Sequence, residues 1–432
     1  MTDQLAEPIT QQLTQPISRP PRTKNSQRPL VWIVILVTLL GVAARFVAWE
    51  KVDRYYFDES YYIKFTKFHA TNPLPGYAAF CDEFIKHQEA EKVGIPPPTR
   101  LLYPYTAAVL HKASGLSIPD SLTAISAIAS GLMLVIAAIW SWRMLPGGIA
   151  AGVTALMAVS LNQLHLSQRL MIDPLIGATS LGILWSLWEL GNSPKHRRWF
   201  GLLYVFSLGA MVMVKENSFF VFIAIVALLV LRKYTKTLPE LPPHMLPITI
   251  GTSALSFCTL VFLAGGLAKF CKLYMLLVDR SLVTPWAHMF GDGPWYRYIV
   301  DSMLAQPFPT ILAIAALFWA PIENARVRYL SIFMFVTFAI MSQVKYGMCY
   351  RYAVVWDYPI AVLAMFQLKK ISERLAPSRA VFAQVIAVIV ICASQIANFW
   401  QIGVVSKGYA LTTYDLMTGL KLYAPPAGGM PR

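Results

Sequence analysis

Twenty residues from Leu30 to Trp49 are apolar almost without a break, and ten further stretches of the same kind follow, near 119–142, 147–165, 173–190, 199–214, 217–232, 245–265, 307–321, 329–343, 352–368 and 380–400. A helix rising 1.5 Å per residue needs about 20 such residues to cross the hydrocarbon of a bilayer. The pattern predicts an all-α polytopic membrane protein with about 11 transmembrane helices. Only "VKEN" separates 199–214 from 217–232, and reading those two as one span would invert every later loop. Composition agrees: 56% hydrophobic, 14% charged and a mean hydropathy of +0.52 leave too little charge to cover a soluble chain of 432 residues. Leu30–Trp49 reads as a span and not as a signal peptide, because a polar, proline-rich stretch precedes it and no small-residue cleavage site closes it.

Charge placement orients the spans. With the N-terminus inside, the inward segments carry about 17 basic against 6 acidic residues, among them Arg143, "KHRR" at 195–198 and "RKYTK" at 232–236. The outward segments are nearly balanced, so much of the net charge of +15 reads as topology and not as affinity for nucleic acid. Residues 1–29, rich in Gln, Pro, Thr and Ser, read as a disordered cytoplasmic tail. Residues 30–400 read as the membrane domain and 401–432 as a short extracytoplasmic tail. The long connections, about 50–118 and 266–306, both fall outside, and irregular segments of that length on one face usually hold function. Five cysteines (Cys81, Cys258, Cys271, Cys349 and Cys392) show neither a CxxC pair nor a repeated spacing, so neither a disulfide framework nor a zinc site is suggested.

The first outward segment opens with "RYYFDESYYIKF" (54–65), which places Asp58 and Glu59 side by side among aromatic residues. The spacing of Tyr55, Asp58/Glu59, Tyr62 and Phe65 predicts an interfacial helix, its aromatic bodies and polar tips suited to the headgroup region. Adjacent helical residues point about 100° apart, so the two carboxylates cannot share one proton and, if both act, have different tasks. The same letters also fit two solvated carboxylates flanked by Lys51, Arg54 and Lys64. Downstream, "IPPPTRLLYPYTAAVLHKASG" (95–115) predicts a proline-led second interfacial helix with Arg100 and Tyr103 at its mouth.

Together, "YYFDESYYIKF" and, about forty residues on, "PPPTRLLYPYTAAVLHKASG" resemble the polyprenyl-phosphate-sugar-dependent glycosyltransferases of the C-type superfold. The likeness is nearest to glycosyltransferase family 39, which includes protein O-mannosyltransferases and lipid A aminoarabinose transferases. It runs in order over most of residues 30–370. Three later stretches extend it. In "HLSQRLMIDPL" (165–175), Arg169 precedes Asp173 by four positions, although Asp173 before Pro174 also reads as a helix cap. In "VKENS" (214–218), Lys215 stands at a helix start, a good place for a phosphate, although Lys215 and Glu216 also read as a short charged turn. "KYGMCYRYAVVWDYPIAVL" (345–363) carries an "RY" element at Arg351 and Tyr352, although its first following proline, Pro359, is farther off than is usual in the family. Asp357, read as two turns into a span, is an ionisable group at a depth that demands a function or a partner. His165 reads as a polar surface residue. Trp286, Trp295, Tyr296 and Tyr298, in 279–312, read either as a sugar or polyprenyl groove or as an interfacial aromatic belt.

The resemblance implies an integral, multi-pass enzyme of the plasma or inner membrane with an extracytoplasmic active site. It implies transfer of a sugar from a polyprenyl-phosphate donor to an acceptor hydroxyl on a protein, lipid or glycan, with inversion. Asp58 would be the general base and Glu59 its helper, while Arg351, Lys215 and Arg169 would receive the donor phosphate. Asp173, Arg100, Tyr62, Tyr103, Glu216 and Tyr352 would complete the substrate site. No cofactor is implied with certainty; carboxylates around a phosphate are of the type that holds a divalent cation. A polytopic transporter or flippase of lipid-linked or polar solutes is the competing class, and the two readings differ in where Asp58, Lys215 and Arg351 meet.

Overall fold

The first apolar run forms α1 (Arg28–Phe46). Only Val34, Gly41 and Arg45 on it are buried, and Trp32, Leu36, Leu39 and Leu40 face outward, as the lipid side of a span must. The computed structural model describes residues 28–50, 55–72, 74–91, 93–238, 241–345 and 347–423, and among these it contains no strand. The tail expected over 1–29 falls, up to residue 27, outside the described residues, as do Lys51, Arg54 and the last nine residues of the C-terminal tail. Arg45 would be costly in lipid, but its guanidinium donates to Ser130 Oγ at 2.8 Å and to the carbonyls of Gly41, Ala158 and Met157. It therefore pins the end of α1 to its neighbours.

The first long connection holds three helices: α2 (Phe57–Thr71), α3 (Tyr77–Ala90) and α4 (Leu102–Ser114). α2 and α4 lie where the two interfacial helices were expected. α3 was not foreseen. Gly115 ends α4 in the left-handed region at φ 73°, where only glycine is unstrained, and its N–H returns to the His111 carbonyl. Ser117 then caps α5 (Ile118–Met144), accepting from the Asp120 amide at 3.2 Å, an arrangement worth about 1 kcal/mol.

α6 (Gly147–Ala158) and α7 (Leu161–Gln168) follow, meeting at a bend of 40°, and then α8 (Asp173–Asn192), which is buried along most of its length. α9 (Arg197–Val212) and α10 (Ser218–Thr235) are two helices and not one, and a turn at 213–217 carries Lys215 and Glu216 between them. Next come α11 (Met245–Leu263), then the second long connection with α12 (Leu267–Ser281), α13 (Pro285–Phe290) and α14 (Arg297–Ala305). The chain continues through α15 (Pro307–Leu317), α16 (Ala320–Glu323), α17 (Ala325–Met341), α18 (Asp357–Leu375), α19 (Ala380–Phe399) and α20 (Thr413–Gly419).

The eleven expected segments are largely helical, but 147–165 is divided between α6 and α7, 307–321 between α15 and α16, and 352–368 begins in a 3-10 turn ahead of α18. Five helices, namely α1, α5, α10, α11 and the stretch Pro377–Val405 that contains α19, are by themselves long and apolar enough to cross a membrane, and α6 with α7 makes a sixth if the bent pair is one span. The chain is a multi-pass integral membrane protein. α3 and α12 lie against each other, joined by Lys269 to Asp82 and Lys272 to Glu89, both at 2.7 Å. Tyr77 of α3 donates its hydroxyl to the Pro98 carbonyl at 2.6 Å, and Thr99 donates to Tyr274 of α12 at 2.8 Å. The triple-proline turn is thus held from both helices, which fixes Arg100 immediately before α4.

Candidate active site

Asp58 lies in the first turn of α2, and Arg351 lies in the short 3-10 turn Tyr350–Trp356 that leads into α18. Arg351 Nη2 donates to Asp58 Oδ2 at 2.8 Å across 293 residues of chain. Arg351 is almost fully buried, while Asp58 keeps 20% of its side chain exposed. Arg351 Nη1 donates to Met171 Sδ at 3.0 Å, and Nη2 also donates to the Tyr352 hydroxyl at 3.2 Å.

Glu59 faces another way. Both its oxygens accept from Arg169, at 3.0 and 2.9 Å, and its remaining acceptor sites take the Leu170 amide at 3.2 Å and the Tyr56 amide at 2.8 Å. It is completely buried. The two carboxylates are thus bonded differently: Glu59 is fully engaged by protein, while Asp58 Oδ1 accepts no bond among the described residues.

Lys215 and Glu216 do not neutralise each other as a charged turn would. Lys215 Nζ donates to Asp173 Oδ1 at 3.1 Å and lies 3.9 Å from the centre of the Tyr352 ring. Glu216 instead grips Arg100, whose Nε donates to Oε2 at 3.0 Å and whose Nη2 donates to Oε1; Arg100 Nη1 donates to the Tyr62 hydroxyl at 2.8 Å. Asp173 is the first residue of α8 and makes no capping bond, contrary to the cap reading; its carboxylate serves Lys215. These side chains thus form a charged network of three neighbouring clusters at helix ends: Asp58, Arg351, Tyr352, Lys215 and Asp173; Glu59 with Arg169; and Arg100 with Glu216 and Tyr62. Tyr103 stands apart from the charges. It is buried, packs edge-on against Tyr62 and donates to the Leu122 carbonyl at 3.0 Å.

The charges decide protonation. Partial burial raises the Asp58 carboxyl, but Arg351, then Arg100 and Lys215, outweigh it and hold it below the usual carboxylate range. Burial likewise raises Glu216, and Arg100 more than reverses that. Burial pushes the Tyr62 phenol up to about 12. Because its folded value is depressed, Asp58 contributes stability above its unfolded value near 3.8 and loses it as pH falls through the folded one. The thermal midpoint of Asp58→Asn in detergent should lie below that of the wild type by a constant amount from about pH 5 to 8, and the gap should narrow as pH falls below about 4. A gap unchanged at pH 3 would mean that the charge pair is not its source.

Several residues fall outside the sequence reading. His165 is fully buried and not a surface residue: Nδ1 stands 2.7 Å from Glu50 Oε1 and Nε2 3.0 Å from the Tyr409 carbonyl oxygen. Tyr409 belongs to the C-terminal stretch expected to be a short tail. Its ring stacks on Tyr56 at 4.2 Å and lies 5.3 Å from the Arg169 guanidinium and 5.7 Å from that of Arg351. Asp357 opens α18 and does not lie two turns within a helix; Gln163 Nε2 donates to it at 2.7 Å. Trp286, Trp295 and Tyr296 are exposed, whereas Tyr298 is buried edge-on against Trp356. All five cysteines are free. Among the described residues no group of three or more His, Cys, Asp or Glu side chains comes together to hold a metal ion; the carboxylates of the network each face a cation instead.

No protein-family model matches this chain, and no curated protein matches it in sequence. Solved structures do match it in fold. ArnT from Cupriavidus metallidurans in the apo state is 14% identical, with a TM-score of 0.52 over 86% of this chain and 65% of that one. The oligosaccharyltransferase of Archaeoglobus fulgidus, tethered to an acceptor peptide containing the NVT sequon, is 13% identical, with a TM-score of 0.55 over 86% of this chain and 54% of that one. AglB, the oligosaccharyltransferase from the same archaeon in complex with an inhibitory peptide and a dolichol-phosphate, gives 13% and 0.55 over 94% and 59%. This chain therefore spans between about half and two thirds of the length of these proteins. At such identities the likeness is one of fold alone: this chain shares the helical fold of ArnT and of the archaeal oligosaccharyltransferase, the kind of fold that the motif resemblance leads one to expect.

Proposed function

We propose that this chain is a membrane glycosyltransferase that moves a sugar from a polyprenyl-phosphate donor to an acceptor hydroxyl on the extracytoplasmic side, with Asp58 as general base. The observation that carries the reading is the Asp58–Arg351 pair: a partly exposed carboxylate beside a buried guanidinium, with Lys215 and Arg100 close by. Transfer chemistry needs a base for the acceptor and cations for the leaving phosphate within one small space. The charge bias of the loops supports an outward site, and residues 30–400 would form the catalytic unit with its long loops at 50–118 and 266–306. The Archaeoglobus protein described with a dolichol-phosphate lends the donor class support by analogy of fold.

In the proposed step the acceptor oxygen attacks the anomeric carbon from the face opposite the phosphate. Its proton passes to Asp58, the carbon–oxygen bond to the phosphate breaks, and the electron pair leaves on the lipid phosphate. One direct displacement inverts the anomeric centre. Arg351 offers a planar fork to the phosphate and Lys215 a point charge. An arriving phosphate draws Arg351 off Asp58, and losing that cation raises the basicity of Asp58 when it is needed. Glu59 and Arg169 hold the first turn of α2 in place, while Asp173, Arg100, Glu216, Tyr62, Tyr103 and Tyr352 complete the proposed substrate site.

The test is transfer of label in membranes containing the protein. Label supplied in a polyprenyl-phosphate sugar should appear in an acceptor, and label supplied as a nucleotide sugar, with synthesis of the lipid-linked form blocked, should not. Movement of the lipid-linked sugar across the bilayer without transfer would return the flippase reading. Against that reading stands the position of the charges, which gather at helix starts and ends and not along helix middles.

A further inference from the structure

The C-terminal stretch enters the site through one residue. Residues 406–412 are held at both ends: the Gly408 amide donates to the Ile402 carbonyl at 3.0 Å, the Leu411 carbonyl accepts from the Tyr350 amide at 3.1 Å, and Asp415 at the start of α20 takes the amides of Ala410 and Thr412, each at 3.2 Å. The Tyr409 carbonyl accepts its own bond from the His165 side. Within this frame the Tyr409 ring is fixed by Tyr56 on one side and by the guanidiniums of Arg169 and Arg351. Its hydroxyl, in contrast, is buried and has no partner among the described residues. Burial of an unpaired hydroxyl is costly, and so an immobilised side chain that leaves one bare calls for an explanation.

Two more bare polar atoms belong to the same network: Arg351 Nε and Asp173 Oδ2. The Tyr409 ring lies 5.7 Å from the Arg351 guanidinium, which itself holds Asp58 at 2.8 Å, so the side chain adjoins the pair that carries the proposed chemistry. Burial, then Asp58, keep its phenol well above its ordinary value, so it remains an O–H donor at any working pH. A donor next to a guanidinium with a free N–H is a setting for an anion.

Building on the proposed donor class, we infer that Tyr409 is a ligand of the donor phosphate: its hydroxyl and Arg351 Nε donate to phosphate oxygens, and its ring holds both arginines in the geometry that receives them. The C-terminal stretch is then a wall of the active site. The ring contacts make Tyr409 a positioning residue as well, and the two contributions separate by substitution. Tyr409→Phe removes the hydroxyl and keeps the ring; Tyr409→Leu removes both.

The measurement is binding of farnesyl phosphate and of farnesol to the purified full chain in detergent, so that the ratio of their affinities isolates the phosphate. The wild type should prefer the phosphate. Tyr409→Phe should lower that preference by about tenfold, the size of a hydrogen bond to a charged group. Tyr409→Leu should lower it further, and Arg351→Gln should abolish it. If Arg351→Gln loses the preference while Tyr409→Phe keeps it, the role of Tyr409 is wrong and the donor site stands. If Arg351→Gln keeps it too, the donor-phosphate reading itself falls. Equal weakening of farnesol and farnesyl phosphate in Tyr409→Phe would show loosened packing and would also overturn the inference.

Discussion

Asp58→Asn should reduce sugar transfer by roughly 10²–10⁴-fold, the usual contribution of a positioned general base, while the protein stays folded and still binds the lipid phosphate. Asparagine matches aspartate in size and still offers Arg351 an oxygen at the position of Oδ2, where the pair now closes at 2.8 Å. What it lacks is the ability to take a proton. Because Arg351 and Lys215 remain, the variant should bind farnesyl phosphate at least as well as the wild type; removing a carboxylate that competes for Arg351 frees that cation. The signature is thus a split, with turnover lost and donor affinity kept or improved. Transfer at the wild-type rate would remove Asp58 from the mechanism. Loss of donor binding in proportion to turnover would make Asp58 a structural residue and leave the base to be found elsewhere.

The apolar helices and the two flanking helices of the first loop were legible because their signals are local. A run of 20 apolar residues is read without knowing its neighbours, and "FDES" followed by a proline-led helix carries its own order. The partnerships were not local. Nothing near Lys215 indicates that it will choose Asp173, 42 positions away, over the adjacent Glu216, yet adjacent side chains on a tight turn diverge and a distant helix start can face the amine. α3 escaped because its apolar residues cover one side only, packed under α2 and the proline turn, and its acidic side is spent on α12. Tyr409 had no signal of its own. Its surroundings had one: Thr412 and Asp415 form a capping box, a readable mark of a helix start in a stretch otherwise taken as a tail.

Replacing Glu59 tests how the reactive carboxylate is held. Glu59→Gln should destabilise the protein by about 3–5 kcal/mol, because it strips the counter-charge from a buried arginine and leaves the charge behind. Arg169 is nearly fully buried and donates to both oxygens of Glu59; its other close company is the rings of Tyr56 and Tyr409, each 5.3 Å away. The rings soften the loss without replacing a carboxylate. Glutamine also exchanges one acceptor for a donor, so in either orientation one Arg169 nitrogen and one backbone amide, that of Tyr56 or of Leu170, must meet an N–H, and the first turn of α2 loses part of its anchor. Since Asp58 is in that turn, transfer should fall along with stability. The double variant Glu59→Leu with Arg169→Met separates the charge from the fold: removing both ions together should recover most of the lost stability, as apolar replacement of buried pairs often does, but not the placement of Asp58 and hence not the transfer. A Glu59→Gln protein as stable as the wild type would mean that Arg169 is compensated elsewhere. A double variant that regains full activity would mean that the Glu59–Arg169 clamp holds the fold alone and that the position of Asp58 is set by Arg351.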